Sequence, residues 1–265
     1  MCLFEYLVTT YRKTNDEILS ILKASNIKGK ILVGNQCDVD ETISFKTDTQ
    51  DITIFHQKSI GVSKNRNFLL RKATSKFVTF VDDDQIYFDV QDRIEKEAIA
   101  NDLPAFRVNV VSDNQARRIR TFKKGKLSIR QVGGIGVWGI FFKREKLLEH
   151  KLFFDENIGP GQKLNHGEDS IYLLECKKHF NIVQFDMLGF HLLTEESMWV
   201  NEQRDLNIEM FSHGYLYFRM YGWMAKFFAI MFVFTHMDCY PKGTKKCFLI
   251  KKMYEGINFG RKSLK

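Results

Sequence analysis

Three consecutive carboxylates, Asp82-Asp83-Asp84, end an apolar run over residues 77–81. Adjacent carboxylates repel one another and resist desolvation. Such a triplet is stable pointing into water, as in a turn or helix N-cap, or arranged around a cation. Asp82 and Asp84 make an Asp-x-Asp pair of the hard oxygen donors that divalent ions take. Ligands of open α/β sheets bind beyond the carboxyl ends of the strands, and a metal pair there suits a phosphate-bearing substrate. A second acidic pair, Glu168-Asp169, follows the turn signal Gly159-Pro160-Gly161 and opens a segment with Ile171, Leu173, Leu174 and Cys176 at helical spacing. Carboxylates in a first helical turn complement the helix dipole. The chemical reading of the pair is a general base at a helix start beside a pocket.

The segments that must position these groups alternate in type. Short apolar runs at 3–8, 30–33, 52–55, 77–81 and 105–111 read as strands. The first gives way to a loop at Thr9-Thr10-Tyr11. Asn15 or Asp16 can cap a helix bearing Ile18, Leu19, Ile21 and Leu22, and a second helix follows Gly61 with Phe68, Leu69, Leu70 and Ala73. Residues 94–100 read as a third helix. Strand, helix, strand at this spacing predicts a mostly parallel sheet with helices on its faces and right-handed crossovers. Residues 115–130 are polar and basic and read as a mobile hairpin or loop. Residues 132–142 hold Gly133, Gly134, Gly136 and Gly139, which permit close approach of a ligand or simply a twisted, closely packed strand.

The chain of 265 residues is 44% hydrophobic and 27% charged, which is the composition of a folded protein and not of a disordered one. Its five cysteines are scattered without metal-ligand spacing, and the N-terminal stretch lacks the pattern of a signal peptide, so a reduced cytosolic protein is expected. Of the net charge of +8, residues 239–265 carry +7 and the rest only +1. A nucleic-acid groove spreads its charge over the folded body, so no nucleic-acid partner is expected. A basic tail suits an anionic membrane surface.

Taken in order, these segments resemble family 2 glycosyltransferases, inverting enzymes with the GT-A fold, over residues 3–195. Thr10-Tyr11 stand where the family ends its first strand. Asn35, with Asp38 just beyond, occupies the place where it reads the nucleotide base; Gly61 to Asn67, with Asn65-Arg66-Asn67, fills its Gly…Ala-Arg-Asn element. The aspartate triplet matches its metal-binding element, Glu168-Asp169 its base region, and His191 a late histidine. The resemblance implies metal-dependent transfer of a sugar from a nucleotide diphosphate, UDP-linked, to a hydroxyl of a glycan or lipid-linked acceptor in surface polysaccharide synthesis. It implies Mn²⁺ or Mg²⁺ held by Asp84, Asp82 and His191. Thr10, Tyr11, Asn35, Asp38, Arg66, Asp82 and Asp83 would hold the donor, and Asp169, beside Glu168, would act as base. A nucleotidyltransferase would need a glycine-rich phosphate loop after the first strand, which Thr9 to Asp16 lacks. The other rival is a non-catalytic nucleotide-sugar-binding protein, against which the two acidic sites argue.

Residues 1–205 are expected to form the catalytic domain and 206–265 a helical extension. Ten aromatics crowd residues 211–234, where Ser212, Arg219, Gly222 and Lys226 share one helical stripe. The longest uncharged run there is eleven residues, 227–237, against the ~20 needed to span a bilayer. Residues 211–265 therefore read as an interfacial, membrane-associating segment, with the protein peripheral on the cytoplasmic face. A homo-oligomer is left open.

Overall fold

The structure, a computed structural model, describes residues 3–112, 119–160, 162, 164–192 and 205–263. In chain order its first half contains β1 (Phe4–Tyr11), α1 (Asn15–Ala24), β2 (Gly29–Gln36), β3 (Glu41–Lys46), β4 (Gln50–Gln57), α2 (Val62–Lys72), β5 (Phe77–Asp82), β6 (Gln85–Tyr87) and α3 (Gln91–Asn101). Then come β7 (Ala105–Ser112), β8 (Gly125–Lys126), α4 (Ile129–Val132), β9 (Ile140–Lys143), α5 (Arg144–Glu149), α6 (Glu168–His179) and β10 (Ile182–Leu192). The described chain closes with α7 (Leu206–Tyr221), α8 (Ala225–Thr235) and α9 (Lys246–Ser263).

The expected parallel strands are present as β4-β2-β1-β5. The apolar runs of β1, β2 and β5 are buried on both faces, which is why they read as continuous rather than alternating, while β4 is fully buried only at alternate residues. One core packs Phe4, Tyr6, Ile31 and Phe77 with α1 and α3. The other packs Leu7, Phe80, Leu69 and Leu70 with Tyr172 and Leu173 of α6. The sheet as a whole is mixed: β3, β9 and β6 run antiparallel to β4, β5 and β10. These strands are short, and β3 is an edge strand on β4 with only alternate residues partly covered. No sustained apolar run marked it.

Two local readings change. β1 continues through Tyr11, whose register partner is Gln36, so Thr9 to Tyr11 is strand rather than loop. The cap of α1 is Thr14 and not Asn15 or Asp16. Thr14 Oγ1 accepts from the Glu17 N–H while Glu17 accepts from the Thr14 N–H, a complete capping box. The loop expected over 115–130 lies partly outside the described residues; its later part holds β8 and α4.

β6 follows β5 after only Asp83 and Asp84, yet it pairs with β10 instead of β5. The carboxyl end of β10 must therefore lie beside the aspartate turn.

The C-terminal reading changes most. Residues 211–234 are not one helix, because α7 stops at Gly222, where φ is 55°. α7 is buried from Glu209 to Leu216 at all but Phe211 and His213, and it packs with α8 and α9 around Met210, Ala229, Val233, Leu249 and Met253. A Cβ on Gly214 would lie 2.0 Å from the Met253 carbonyl oxygen, and one on Gly256 would lie 1.9 Å from that of Phe211. Glycine at both positions lets α7 and α9 touch backbone to backbone. The other side of α7 seats Tyr215 and Leu216 on Ile158, Leu164 and Ile171 of the sheet domain. Ser212, Arg219, Gly222 and Lys226 thus do not form a solvent stripe; Ser212 is buried.

Candidate functional site

The segment Asn65-Arg66-Asn67 in the first two turns of α2 assembles the site. Asn65 donates to the Gly34 carbonyl at 2.6 Å, tying α2 to the end of β2. A Cβ on Gly34 would meet that amide at 1.9 Å, so only glycine admits the contact. Asn67 donates to the Phe154 carbonyl and accepts from its N–H at 2.9 and 2.8 Å, tying α2 to the segment before α6. Arg66, between these clamps, is buried with its guanidinium 5.3 Å from the Phe154 ring centroid. Its Nη2 donates to Asp82 Oδ1 at 3.1 Å and its Nη1 to Asp169 Oδ1 at 2.6 Å. One cation therefore joins two acidic sites that are distant in sequence. Burial opposes its charge, but Asp169, Asp82 and Glu168 together offset that and raise its pKa above the ordinary arginine value.

Asp82 ends β5, and Asp83 and Asp84 form the turn before β6. The Asp83 carboxyl is pushed up by partial burial and by the like charges of Asp82 and Asp84, against the pull of Lys13. His191 pairs in register with Ile86 and so stands on the strand beside this turn.

On the other side of Arg66, Glu168 and Asp169 open α6 after Gly167, whose φ is 99°. Asp169 Oδ2 accepts from the Val137 N–H at 3.1 Å. Burial pushes the Asp169 carboxyl up, against the opposing pull of Arg66. Glu168 rises to about 7, first through burial and then through the charge of Asp169. Its folded pKa thus lies above its ordinary 4.5. The stability that protonated Glu168 contributes is complete below that ordinary value and is lost as pH rises through about 7. Glu168→Gln should therefore lose less melting temperature than the wild type between about pH 5 and about pH 8. Equal losses would show that Glu168 is not shifted.

The remaining predicted positions divide. Thr10 and Asn35 come together: Asn35 is buried, accepts from Thr10 Oγ1 at 3.0 Å and from the Lys13 N–H at 3.2 Å, and donates to the Lys13 carbonyl at 2.7 Å. His56 closes this cluster, 3.0 Å from Asn35 and 2.9 Å from Asn15. Asn35 therefore shapes the β1–α1 loop. Tyr11 and Asp38 lie at the solvent; Asp38 meets Arg12 at 3.7 Å with both side chains mostly exposed. Such an exposed pair holds geometry weakly. Two groups escaped the sequence reading. Lys13 lies where Asp83 feels its charge, and Val137 N–H reaches Asp169. The glycines at 133–136 were the signal for the latter; a lone lysine in a loop gave none.

Among the described residues, no group of three or more His, Cys, Asp or Glu side chains is arranged to hold a metal ion. The set Asp82, Asp84 and His191 is thus not closed by the protein alone. The donor chemistry still fits a hard cation. Mg²⁺ is commonly held by one or two carboxylates together with substrate phosphates, and Asp83, raised first by burial and then by the charges of Asp82 and Asp84, stands among crowded carboxylates at this turn.

A mixed sheet with a carboxylate turn at the end of a central strand is the architecture of a GT-A nucleotide-sugar transferase fold. The crystal structure of S. aureus TarS 1-349 in complex with UDP-GlcNAc has this fold, with a TM-score of 0.61 and 14% identity, over 97% of this chain and 72% of that one. A longer S. aureus TarS structure gives a TM-score of 0.59 over 98% of this chain and 54% of that one. Glycosyl transferase family 2 matches residues 15–152, and the chain belongs to that family. A glycosyltransferase of Rickettsia bellii (strain RML369-C), itself described as uncharacterized, is 27% identical over 88 residues. That match spans 31% of this chain and 13% of the relative's length.

Proposed function

We propose that this protein is an inverting glycosyltransferase that moves a sugar from a nucleotide diphosphate to an acceptor hydroxyl. The observation that carries the reading is Arg66, whose two arms hold Asp82 on the donor side and Asp169 on the base side. That contact would set the distance between the leaving group and the proton acceptor, which is how positioning lowers a barrier. Asp169 would take the proton of the acceptor hydroxyl. The oxygen would bond to the anomeric carbon as the bond to the diphosphate breaks on the opposite face, inverting that centre. Asp169 keeps lone pairs beyond those engaged by Arg66 and Val137. Lys13 and Arg66 would face the diphosphate, and Asp83 would accept from ribose or sugar hydroxyls in charge-assisted bonds.

Asp84 and Asp82, with His191 beside them, would hold Mn²⁺ or Mg²⁺. When bound, the ion supplies Lewis-acid neutralisation of the departing diphosphate. Crystals of TarS with UDP and with UDP-GlcNAc support a UDP-linked donor. With Asn35 committed to the loop, base reading would fall to backbone and to Tyr11. We read residues 1–205 as the catalytic unit and 206–265 as an extension that brings it to an anionic membrane surface on the cytoplasmic side. The acceptor would then be a glycan or lipid-linked intermediate of surface polysaccharide synthesis.

A thermal-shift panel of nucleotide sugars with and without Mn²⁺ tests this, because a ligand at about 100 times its Kd stabilises by ~2.7 kcal/mol. A UDP-sugar should raise Tm only with the ion present, and Asp84→Ala should abolish the ion-dependent part. Equal shifts with and without Mn²⁺ in both proteins would remove Asp84 from the metal role.

A further inference from the structure

We propose that the outer face of α8 is the surface that enters an anionic bilayer at headgroup depth. This rests on the membrane reading above and moves it from residues 211–234 as a whole to one stripe. Phe227, Ile230, Met231 and Phe234 recur at i, i+3, i+4 and i+7 on α8, which is one helix face, and Trp223 stands in the 3-10 turn Gly222–Met224 just before it. All five are exposed, Trp223 to 83%. The opposite face is small and buried: Ala225, Ala229 and Val233 sit in the core shared with α7 and α9. Phe228 and Phe232 flank that inner face, stacked on Tyr221 and packed on Tyr217 and His213, and the remaining large residues of α8 turn outward. Contiguous exposed apolar surface of this kind marks an interaction site in soluble folds.

The charges around the stripe select the partner. Between residues 222 and 246 stand Lys226, Lys242, Lys245 and Lys246, against the single carboxylate Asp238. Lys246 Nζ lies 4.4 Å from the Phe234 ring centroid and Lys226 Nζ 5.0 Å from that of Tyr254. Lys242 and Lys245 are exposed in the link from α8 to α9. A second copy docking face to face would bring two such basic rims together, and like charges across an interface are unfavourable. Anionic headgroups neutralise the same rim while the aromatics settle at the interface. Eleven residues of helix reach ~16 Å, about half the hydrocarbon thickness. Among the described residues no helix is long and apolar enough to cross a membrane, so α8 lies in the interface plane.

The contact would be transmitted rigidly to the catalytic side. α7 meets the segment before α6 through Ser212, whose hydroxyl accepts from the Asn165 N–H at 3.2 Å, and through the Glu209 carbonyl, 3.0 Å from His166 Nε2. Leu216 packs on Gly167, the residue before Glu168. Docking α8 thereby fixes how Glu168 and Asp169 face the bilayer.

The test is co-sedimentation of the full chain with phosphatidylcholine vesicles, with and without about one-third phosphatidylglycerol, at about 0.15 M salt. The wild type should pellet with the anionic vesicles. Trp223→Ser/Phe227→Ser should lose at least ~tenfold in partitioning while keeping its melting temperature and donor-nucleotide shift. Phe227→Ser alone serves the same comparison should the double variant fold poorly. Undiminished binding by these variants overturns the α8 assignment and leaves the basic tail as the anchor. A wild type that stays in the supernatant with both vesicles overturns the α8 face and the membrane reading together. A wild-type dimer made monomeric by Trp223→Ser/Phe227→Ser, with no vesicle binding, would show the face to be an interface between copies and overturn the proposal.

Discussion

Asp169→Asn is expected to lower turnover by ~10²–10⁴-fold, the scale of a positioned general base, while nucleotide binding survives. Asparagine keeps the shape of the side chain, and its one amide oxygen can accept from Arg66 or from the Val137 N–H but not from both, which reach different oxygens of Asp169. It has no basic oxygen to take the acceptor proton. The donor side is separate: Asp83 and Asp84 belong to the turn after β5, and Asp82 keeps its own arm of Arg66. Steady-state kcat and nucleotide affinity should therefore part company in this variant. Glu168 supplies the competing outcome, because its pKa of about 7 is also suited to proton transfer near neutrality. Turnover retained within a few-fold in Asp169→Asn and lost in Glu168→Gln would transfer the role to Glu168.

The second large effect is on stability. Arg66→Met removes the cation between Asp82 and Asp169 and leaves both carboxylates without it. Breaking a buried pair from one side typically costs ~3–5 kcal/mol. The Asp82 side chain is 32% exposed and that of Asp169 is 19%, so solvent screening places the loss toward the lower end. Arg66→Lys should recover only part of it, because an ammonium on a flexible stem does not reproduce the two-armed fork. The pH dependence has a definite sign. Burial already raises the Asp169 carboxyl above the ordinary 3.8, and without the opposing pull of Arg66 it rises further. That leaves stability intact below the ordinary value and lost as pH rises, so the deficit against wild type should be smallest in acid and full at neutrality. Urea midpoints at both ends measure it. A neutral-pH deficit under about 1 kcal/mol would mean that water already satisfies both carboxylates.

Much of the sheet-bearing part of the chain was legible before any fold was known. Strands buried on both faces announce themselves as apolar runs, and β1, β2, β5 and β7 fell where such runs lie, as did β4, whose second face is only partly covered. β3 did not, because an edge strand covered on alternate residues carries a pattern too weak to separate from a loop. The break in the C-terminal helices was also hidden. A glycine inside an apolar stretch reads equally as packing or as a kink, and only the positive φ of Gly222 decides. Trp223 and Phe227 looked the same as Tyr215 and Leu216, since aromatic composition does not say which face has a neighbour.

The site divides in the same way. Sequence alone determined which groups could do the chemistry, because Asp82, Asp84, Glu168 and Asp169 are costly to place together unless they serve a cation, a proton or water. It also determined that the positive charge lies in the tail. Tertiary structure decided the pairings. Arg66 stood among the donor-binding candidates, able to reach a phosphate or to place the aspartates, and folding made it the link between Asp82 and Asp169 through the clamps of Asn65 on Gly34 and Asn67 on Phe154. Asn35 stood at the base-reading position, and folding turned its amide toward Lys13 and Thr10. Residue type limits what a side chain can do, but its partner is set by strands and helices far apart in the chain, and that geometry exists only once they pack.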